Sequence, residues 1–416
     1  MTRVADLITQ FEPELLTRYG AQLLPSHRQA LAALKHCRSR FAPQMLASCQ
    51  GCHSQRCLPH SCGHRACPHC QHHESQAWLQ RQLQALVPAT YFLVTFTLPA
   101  QLRTLAWQHQ RRVYALLMQC AWATLKTFSQ NDPKLAGTPG AVAVLHTHNL
   151  QLGLHPHVHV CMPAAALNAQ ERLWRTKVRL GKTPGSREAA RGGYLFSQTA
   201  LAPVFAAKFK AALARAGLPV PSELIAELPN HWVVDCKAVG DGQAALRYLG
   251  RYLYRGVIQE ADILGCQDGQ VRYRWRDAKS GKQATRSLPG ADFLWLLLQH
   301  VLPRGLQRTR NFGFLHHNSR RLLRLLQLTQ ALPCPLPPQP APERPVWRCA
   351  CGQPMRILRR RMRPEEADAV AAANAANAAN AANAANAANA ANAATAAVAP
   401  RTVRPDQPQP AQAAKH

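Results

Sequence analysis

The chain has 416 residues, and its 50 Lys and Arg against 21 Asp and Glu leave a formal net charge of +29. Such an excess points to a polyanionic partner. It is not a membrane signature: the most apolar run, FLWLLLQHVL (293–302), is half the length a bilayer requires, and MTRVADLITQFEPELL lacks the apolar stretch of a secretory signal, so a soluble intracellular protein is expected.

In chain order, residues 1–48 read as helical. CQGCHSQRCLPHSCGHRACPHC (49–70) then holds six of the fourteen cysteines. In an intracellular chain these point to metal sites rather than disulfides. Cys49 and Cys52 form one CxxC pair, Cys67 and Cys70 another, at the spacing of a zinc ribbon or treble-clef-like site. The four are the expected zinc ligands. Cys62, Cys57, His60 and His64 lie inside the loop as alternates. Residues 71–87 read as a helix, TYFLVTFTLP (90–99) as a strand and 100–129 as one long helix.

AVAVLHTHNLQ (141–151) predicts a second strand, and GLHPHVHVCMP (153–163) a third. His155, His157 and His159 alternate through the latter, so all three imidazoles share one face. Neutral imidazole is a common ligand for divalent ions.

Residues 201–217 predict an amphipathic helix and HWVVDCKAV (231–239) a strand. Asp241 is placed to cap a helix that runs through LRYLGRYLYRG (246–256). Tyr248 and Tyr252 are four residues apart on one face, and Arg247, Arg251 and Arg255 form a ladder beside them. A tyrosine hydroxyl can attack a phosphodiester while arginines hold neighbouring phosphates. With a pKa of about 10, only about one tyrosine in a thousand is ionised at pH 7. A divalent ion on the scissile phosphate would offset that handicap, so the histidine strand and the tyrosine helix explain each other.

QVRYRWRDAKSGKQATRSLP (270–289) predicts a basic hairpin. LPCPLPPQPAPERP (332–345) reads as a Pro-rich linker. Cys349 and Cys351, with Cys334 well upstream, leave a second zinc knuckle open, but few ligands are visible and free thiols are the preferred reading; the basic RILRRRMR (356–363) follows. Residues 371–394 repeat Ala-Ala-Asn, which cannot build a core, and predict a disordered or weakly helical tail.

Taken together, SCGHRACPHCQ, YFLVTFTLP, VLHTH, HPHVHV, YLGRYLYR and HVLPRGLQRTRNFG, in that order, resemble the HUH endonucleases, and among them the two-tyrosine rolling-circle transposases typified by insertion sequence ninety-one. The resemblance covers roughly residues 30–330. It implies an α+β chain: a small zinc-binding module, an antiparallel-sheet HUH nuclease domain with flanking helices, and the tail. The corresponding partition is 1–88, 89–331 and 332–416. By resemblance His157 and His159 are the HUH pair, holding Mg or Mn, and Tyr248 and Tyr252 are the nucleophiles. Arg247, Arg251 and Arg255 would contact DNA. Single-stranded DNA at transposon ends and targets would be nicked to a 5′-phosphotyrosine and a free 3′-hydroxyl, in a bacterial cytoplasm at the nucleoid.

A third metal ligand is needed. If residues 152–153 form the turn, His146 faces His159 and His148 faces His157. His146 fits the family position better, with Gln151 and Gln243 as the other candidates. Ala164, Ala165 and Ala166 stand where the family often has glycines, and His148 where it often has Trp. Two other readings use the same residues: a zinc-containing DNA-binding protein without catalysis, and a rolling-circle replication initiator. A metallo-hydrolase is disfavoured because Cys161 stands where such enzymes carry Asp.

Overall fold

The computed structural model describes residues 2–39, 41–68, 70, 72–168, 173–177, 195–253, 257–277, 281–329 and 346–397. In chain order it holds helices α1 (Val4–Tyr19) and α2 (Pro25–Lys35), strands β1 (Gln44–Cys49) and β2 (Gln55–Pro59), helix α3 (His72–Gln84), strand β3 (Tyr91–Thr97), and helices α4 (Arg103–Gln108) and α5 (Gln110–Asn131). Strands β4 (Thr138–His148), β5 (Leu154–Pro163), β6 (Ala165–Asn168) and β7 (Leu173–Thr176) follow. Then come helices α6 (Gln198–Arg215) and α7 (Ser222–Ala226), strand β8 (Val234–Ala238) and helix α8 (Gln243–Leu253). Strands β9 (Ile263–Gln267), β10 (Gln270–Arg276) and β11 (Gln283–Pro289) precede helix α9 (Gly290–Leu298), strand β12 (Thr309–Gly313), helix α10 (Arg320–Thr329), strand β13 (Met355–Met362) and helix α11 (Pro364–Ala397).

The chain divides into two compact units, one of residues 1–39 and 61–345 and one of 40–60 and 346–416. This departs from the linear partition at 88 and 331, because strand pairing, not position along the chain, decides which segments pack together.

In the first unit an antiparallel sheet runs β7-β6-β4-β5-β3-β8, with β12 also paired to β4. Alternation sends Phe92, Val94 and Phe96 of β3, Ala141, Ala143 and Leu145 of β4, and Val158, Val160 and Met162 of β5 to one face. They pack there against α5 and α6, where Val113, Leu117, Ala121 and Leu125 and then Leu201, Phe205 and Phe209 recur at helical spacing. Each fully buried Phe contributes about 1.5–3 kcal/mol. The opposite parity, Val142, Val144 and Cys161, meets Leu246, Leu249 and Leu253 of α8 and Trp78 of α3. The face that carries the imidazoles is therefore set by the residues between them. A second core joins α1, α2 and α9 to the β9-β10-β11 sheet through Leu7, Phe11, Leu31, Tyr273 and Phe293.

The helix expected over 100–129 is interrupted at His109, between α4 and α5. Residues read as helical up to 48 include β1, whose partners β2 and β13 recruit it into a sheet. The basic hairpin forms with Gln270 opposite Pro289 and Arg276 opposite Gln283. The Pro-rich segment 332–345 and Cys334 lie outside the described residues.

The second unit is a small antiparallel sheet, β13-β1-β2, followed by α11. Past Ala367 this helix buries almost nothing, so alanine propensity alone carries the Ala-Ala-Asn repeat. Among the described residues no helix is long and apolar enough to cross a membrane.

Candidate metal centre and tyrosine helix

The β4–β5 turn sets the register of the histidines. Asn149 Oδ1 accepts from Gln151 N at 3.0 Å and Gly153 N at 2.8 Å, and Leu152 takes a φ of +67°. This turn is wider than the two-residue turn at 152–153 expected from the sequence. Consequently His146 sits opposite His157, and Val144 opposite His159. A register irregularity then pairs His148 with Leu154. The offset is two residues, so the face is preserved even though the partners change.

The structure brings His146, His157 and His159 together, with their ligand atoms all within 4.8 Å of one another. The ring centroids of His146 and His159 are 4.5 Å apart, and those of His157 and His159 4.9 Å. His157 Nδ1 donates to His155 O at 2.7 Å, and Thr95 Oγ1 lies 2.9 Å from His159 Nδ1. With Nδ1 carrying the proton toward these oxygens, both Nε2 atoms keep a lone pair. Burial holds the His157 imidazolium down at about 4 and that of His159 at about 3, the latter helped by His157. Burial, then His159 and His157, push His146 well below the usual histidine range. Three neutral imidazoles converging on one point fit a divalent ion with open positions.

His148 is half-buried beside His300, 5.3 Å between rings, and is not part of the triad. His155 lies 3.4 Å from Arg103 Nη2 through its Nδ1. Gln243 donates its amide to Asp241 Oδ2 at 3.0 Å, and the Gln151 carbonyl accepts from Tyr273 and Arg286.

The tyrosine helix α8 lies over this face. Asp241 Oδ1 accepts from Gln243 N at 3.0 Å, the cap the sequence predicts. Gly242 enters the helix at φ +83°, where a Cβ would lie 2.6 Å from the Tyr91 ring. Gly242→Ala is therefore expected to cost about 2 kcal/mol and to displace the helix from the sheet. A thermal melt identical to that of the wild type would contradict this. Leu246, Leu249 and Leu253 bury one side of α8, and Arg247, Tyr248 and Arg251 are exposed on the other. The Tyr248 ring is 6.2 Å from that of His159 and 6.5 Å from that of His146. Tyr252 belongs to α8, but its side chain, like Tyr254 and Arg255, lies outside the described residues.

Two positioning residues escaped sequence reasoning. Arg308 is half-buried. Its guanidinium donates to Leu253 O at 3.3 Å, closing the end of α8, and its carbonyl accepts from Leu145 N of β4. Burial, then Arg65, lower its pKa to about 10, so it stays charged at neutral pH. His300 lies 3.1 Å from Thr147 Oγ1 and 2.8 Å from Leu152 O, tying the segment after α9 to the β4–β5 turn. Both sit in HVLPRGLQRTRNFG, a stretch whose only local signal is a His and several Arg among apolar residues.

The cysteines separate differently from their spacing. Cys49 and Cys52 do not join Cys67 and Cys70, which belong to the other unit. Cys67 and Cys70 gather instead with Cys62, the alternate in the loop, and with Cys37. Sulfur separations are 3.5 Å for Cys37–Cys67 and Cys37–Cys70 and 3.7 Å for Cys62–Cys70. Cys37 escaped notice because no second cysteine stands near it in sequence. The Cys70 thiol is held far below its usual range by its contacts with Cys37, Cys62 and Cys67, while those of Cys62 and Cys67 are pushed up. A cation is what lets all four ionise. His64 accepts from Ala66 N and is not in the cluster. Cys49 and Cys52 meet Cys349 and Cys351, which are therefore not the isolated thiols expected.

Two family models match the chain. "Transposase zinc-binding domain" covers residues 7–98 and "Putative transposase" covers 140–322. "Putative transposase y4qJ" of Sinorhizobium fredii is 29% identical over 336 residues, covering 76% of this chain and 81% of the relative. The transposase for insertion sequence element IS801 of Pseudomonas savastanoi pv. phaseolicola is 24% identical over 308 residues, 69% of this chain and 67% of the relative. No solved structure matches. With the zinc-binding match at its N-terminus and the transposase match after it, the chain is similar over about two thirds of its length or more to transposases of the insertion sequence ninety-one (IS91) type.

Proposed function

We propose that the chain is a metal-dependent DNA strand transferase that cuts single-stranded DNA through tyrosine and rejoins it, as rolling-circle transposition requires. The observation that carries this reading is the exposed Tyr248 ring beside the imidazoles of His146 and His159. His146, His157 and His159 would hold Mg or Mn, which when bound polarises the scissile phosphate and offsets its charge. Tyr248 Oη attacks the phosphorus, and its proton leaves to solvent at the exposed face. The Oη–P bond forms, the P–O3′ bond breaks, and the 3′ oxygen takes up a proton. The energy of the phosphodiester is kept in the 5′-phosphotyrosine, so a 3′-hydroxyl of another strand can reverse the step without a further energy source. Tyr252, one helical turn on, supplies the second nucleophile that two successive cleavages need. Arg247, Arg251 and Arg255 hold neighbouring phosphates. The work belongs to the nucleoid of a bacterial cytoplasm.

The test is to trap the adduct. The chain incubated with labelled single-stranded oligonucleotide carrying transposon-end sequence, and with manganese, should form a covalent complex stable to denaturing electrophoresis. A chain that binds the oligonucleotide but forms no adduct would instead be a zinc-containing DNA-binding protein without catalysis.

Binding itself should be strongly salt-dependent. The motive is the +29 charge and the arginines near 247–255, 272–276 and 304–310. Each phosphate contact to a single strand contributes about 0.7 to the slope of log affinity against log salt, so several contacts give a slope of several units. A flat response in a filter-binding titration would contradict the electrostatic reading.

A further inference from the structure

We propose that Cys49, Cys52, Cys349 and Cys351 form a second structural zinc site, distinct from the Cys37, Cys62, Cys67 and Cys70 cluster and contained within the smaller unit. The zinc-binding family model ends at residue 98, so half of this ligand set lies beyond it.

The four sulfurs lie within 4.8 Å of one another. Cys49 and Cys351 are 3.4 Å apart, Cys52 and Cys349 3.6 Å, and Cys52 and Cys351 3.6 Å. A tetrahedron with Zn–S bonds of about 2.3 Å has edges of about 3.8 Å. A disulfide would bring two sulfurs to about 2.05 Å, and all four cysteines are free. A polynuclear iron–sulfur cluster would spread its cysteines wider than a single tetrahedron.

The backbone is shaped for the site at both ends. Gly51 N and Cys52 N both donate to Cys49 Sγ, at 3.3 and 3.4 Å, which fixes the sulfur's position in the turn. On the other strand Gly352 N donates to Cys349 O and Cys349 N donates to Gln353 O, closing a tight turn with Gly352 at φ +83°. Ser54 Oγ sits 3.2 Å from Cys52 Sγ and 3.3 Å from Cys349 Sγ. The register delivers the two halves to each other, with Cys49 opposite Met355 and Arg348 bridged to Pro354.

The unit also needs the ion. Its main buried cluster is Ala47, Cys49, Leu58, Cys349 and Met355, two of which are ligands, and Ala42, Met362 and Ala367 are the other buried apolar residues among those described. A core this small does not hold a sheet by burial alone, and metal binding supplies folding energy in such modules. The site closes a loop between residues 297 positions apart, Cys52 and Cys349. It would thereby hold the arginine-rich strand β13, with Arg356, Arg359, Arg360 and Arg361 exposed, against β1.

Two measurements on the full chain test this. Zinc per chain, read by plasma mass spectrometry, should fall by one in Cys349→Ser/Cys351→Ser and, separately, by one in Cys62→Ser/Cys70→Ser. A folded Cys349→Ser/Cys351→Ser variant with wild-type zinc content would overturn the site, and iron in place of zinc would overturn the metal assignment. Should that variant fail to fold, alkylation of the wild type decides. Cys52 and Cys351 are exposed, so burial does not shield them. Zinc-loaded chains should leave both unlabelled by iodoacetamide, and chelation should release both. Equal labelling rates with and without chelator would also overturn the proposal.

Discussion

Replacing His157 or His159 by alanine is expected to abolish nicking while leaving affinity for single-stranded DNA nearly intact. Each variant leaves two of three imidazoles that lie within 4.8 Å of one another, too few to hold an ion firmly. A bound divalent ion supplies several kcal/mol of transition-state stabilisation, so the rate should drop about 10³-fold or more. Affinity should survive because burial keeps both rings neutral at pH 7, at about 4 and about 3, and neither contributes charge to phosphate binding. The salt slope should be unchanged for the same reason. His146→Ala should behave alike, although its partner across the strands is His157 rather than His159. Nicking gels, salt titrations and manganese binding by paramagnetic resonance read the three quantities separately. Nicking at wild-type rate in any of the three variants would remove the metal from the reaction.

Tyr248→Phe should eliminate the first covalent adduct and keep both fold and metal. The substitution removes one hydroxyl from a ring that is 40% exposed, so packing hardly changes. Because Tyr248 is the ring beside His146 and His159, it is expected to make the first cut. Tyr252→Phe should then permit nicking but stop strand transfer, since the second cleavage has no nucleophile. By sequence spacing alone, six residues at 3.6 per turn would set Tyr254 about 240° round from Tyr248, and Tyr254→Phe should be nearly silent. Peptide mapping of the trapped adduct identifies the attacking residue directly. An adduct on Tyr254, with Tyr248→Phe fully active, would show that the wrong face of the helix had been assigned.

Much of this site is local, and local features are legible in sequence. A period of two puts His157 and His159 on one face, and the apolar residues between them decide that it is the face turned to α8. A period of four, with Asp241 as cap, sets the amphipathic helix that carries Tyr248. The charge excess and the clustering of cysteines are plain in composition.

What the tertiary structure alone decided is which of these features meet. Spacing specifies a side chain's direction, not its partner across a turn. The Asn149 turn moved His146 from His159 to His157, and only because the shift was even did the triad keep one face. The cysteines show the same limit more severely. Two CxxC pairs fourteen residues apart read as one site, yet β1 pairs with β13 from the far end of the chain and carries Cys49 and Cys52 to Cys349 and Cys351. Cys67 and Cys70 take Cys37 and Cys62 instead. Arg308 and His300 are likewise invisible locally, because their roles rest on carbonyls of Leu253 and Leu152 that only the folded chain places beside them. Long-range strand pairing is governed by burial and backbone hydrogen bonding summed over whole strands, and no short window of sequence contains that sum.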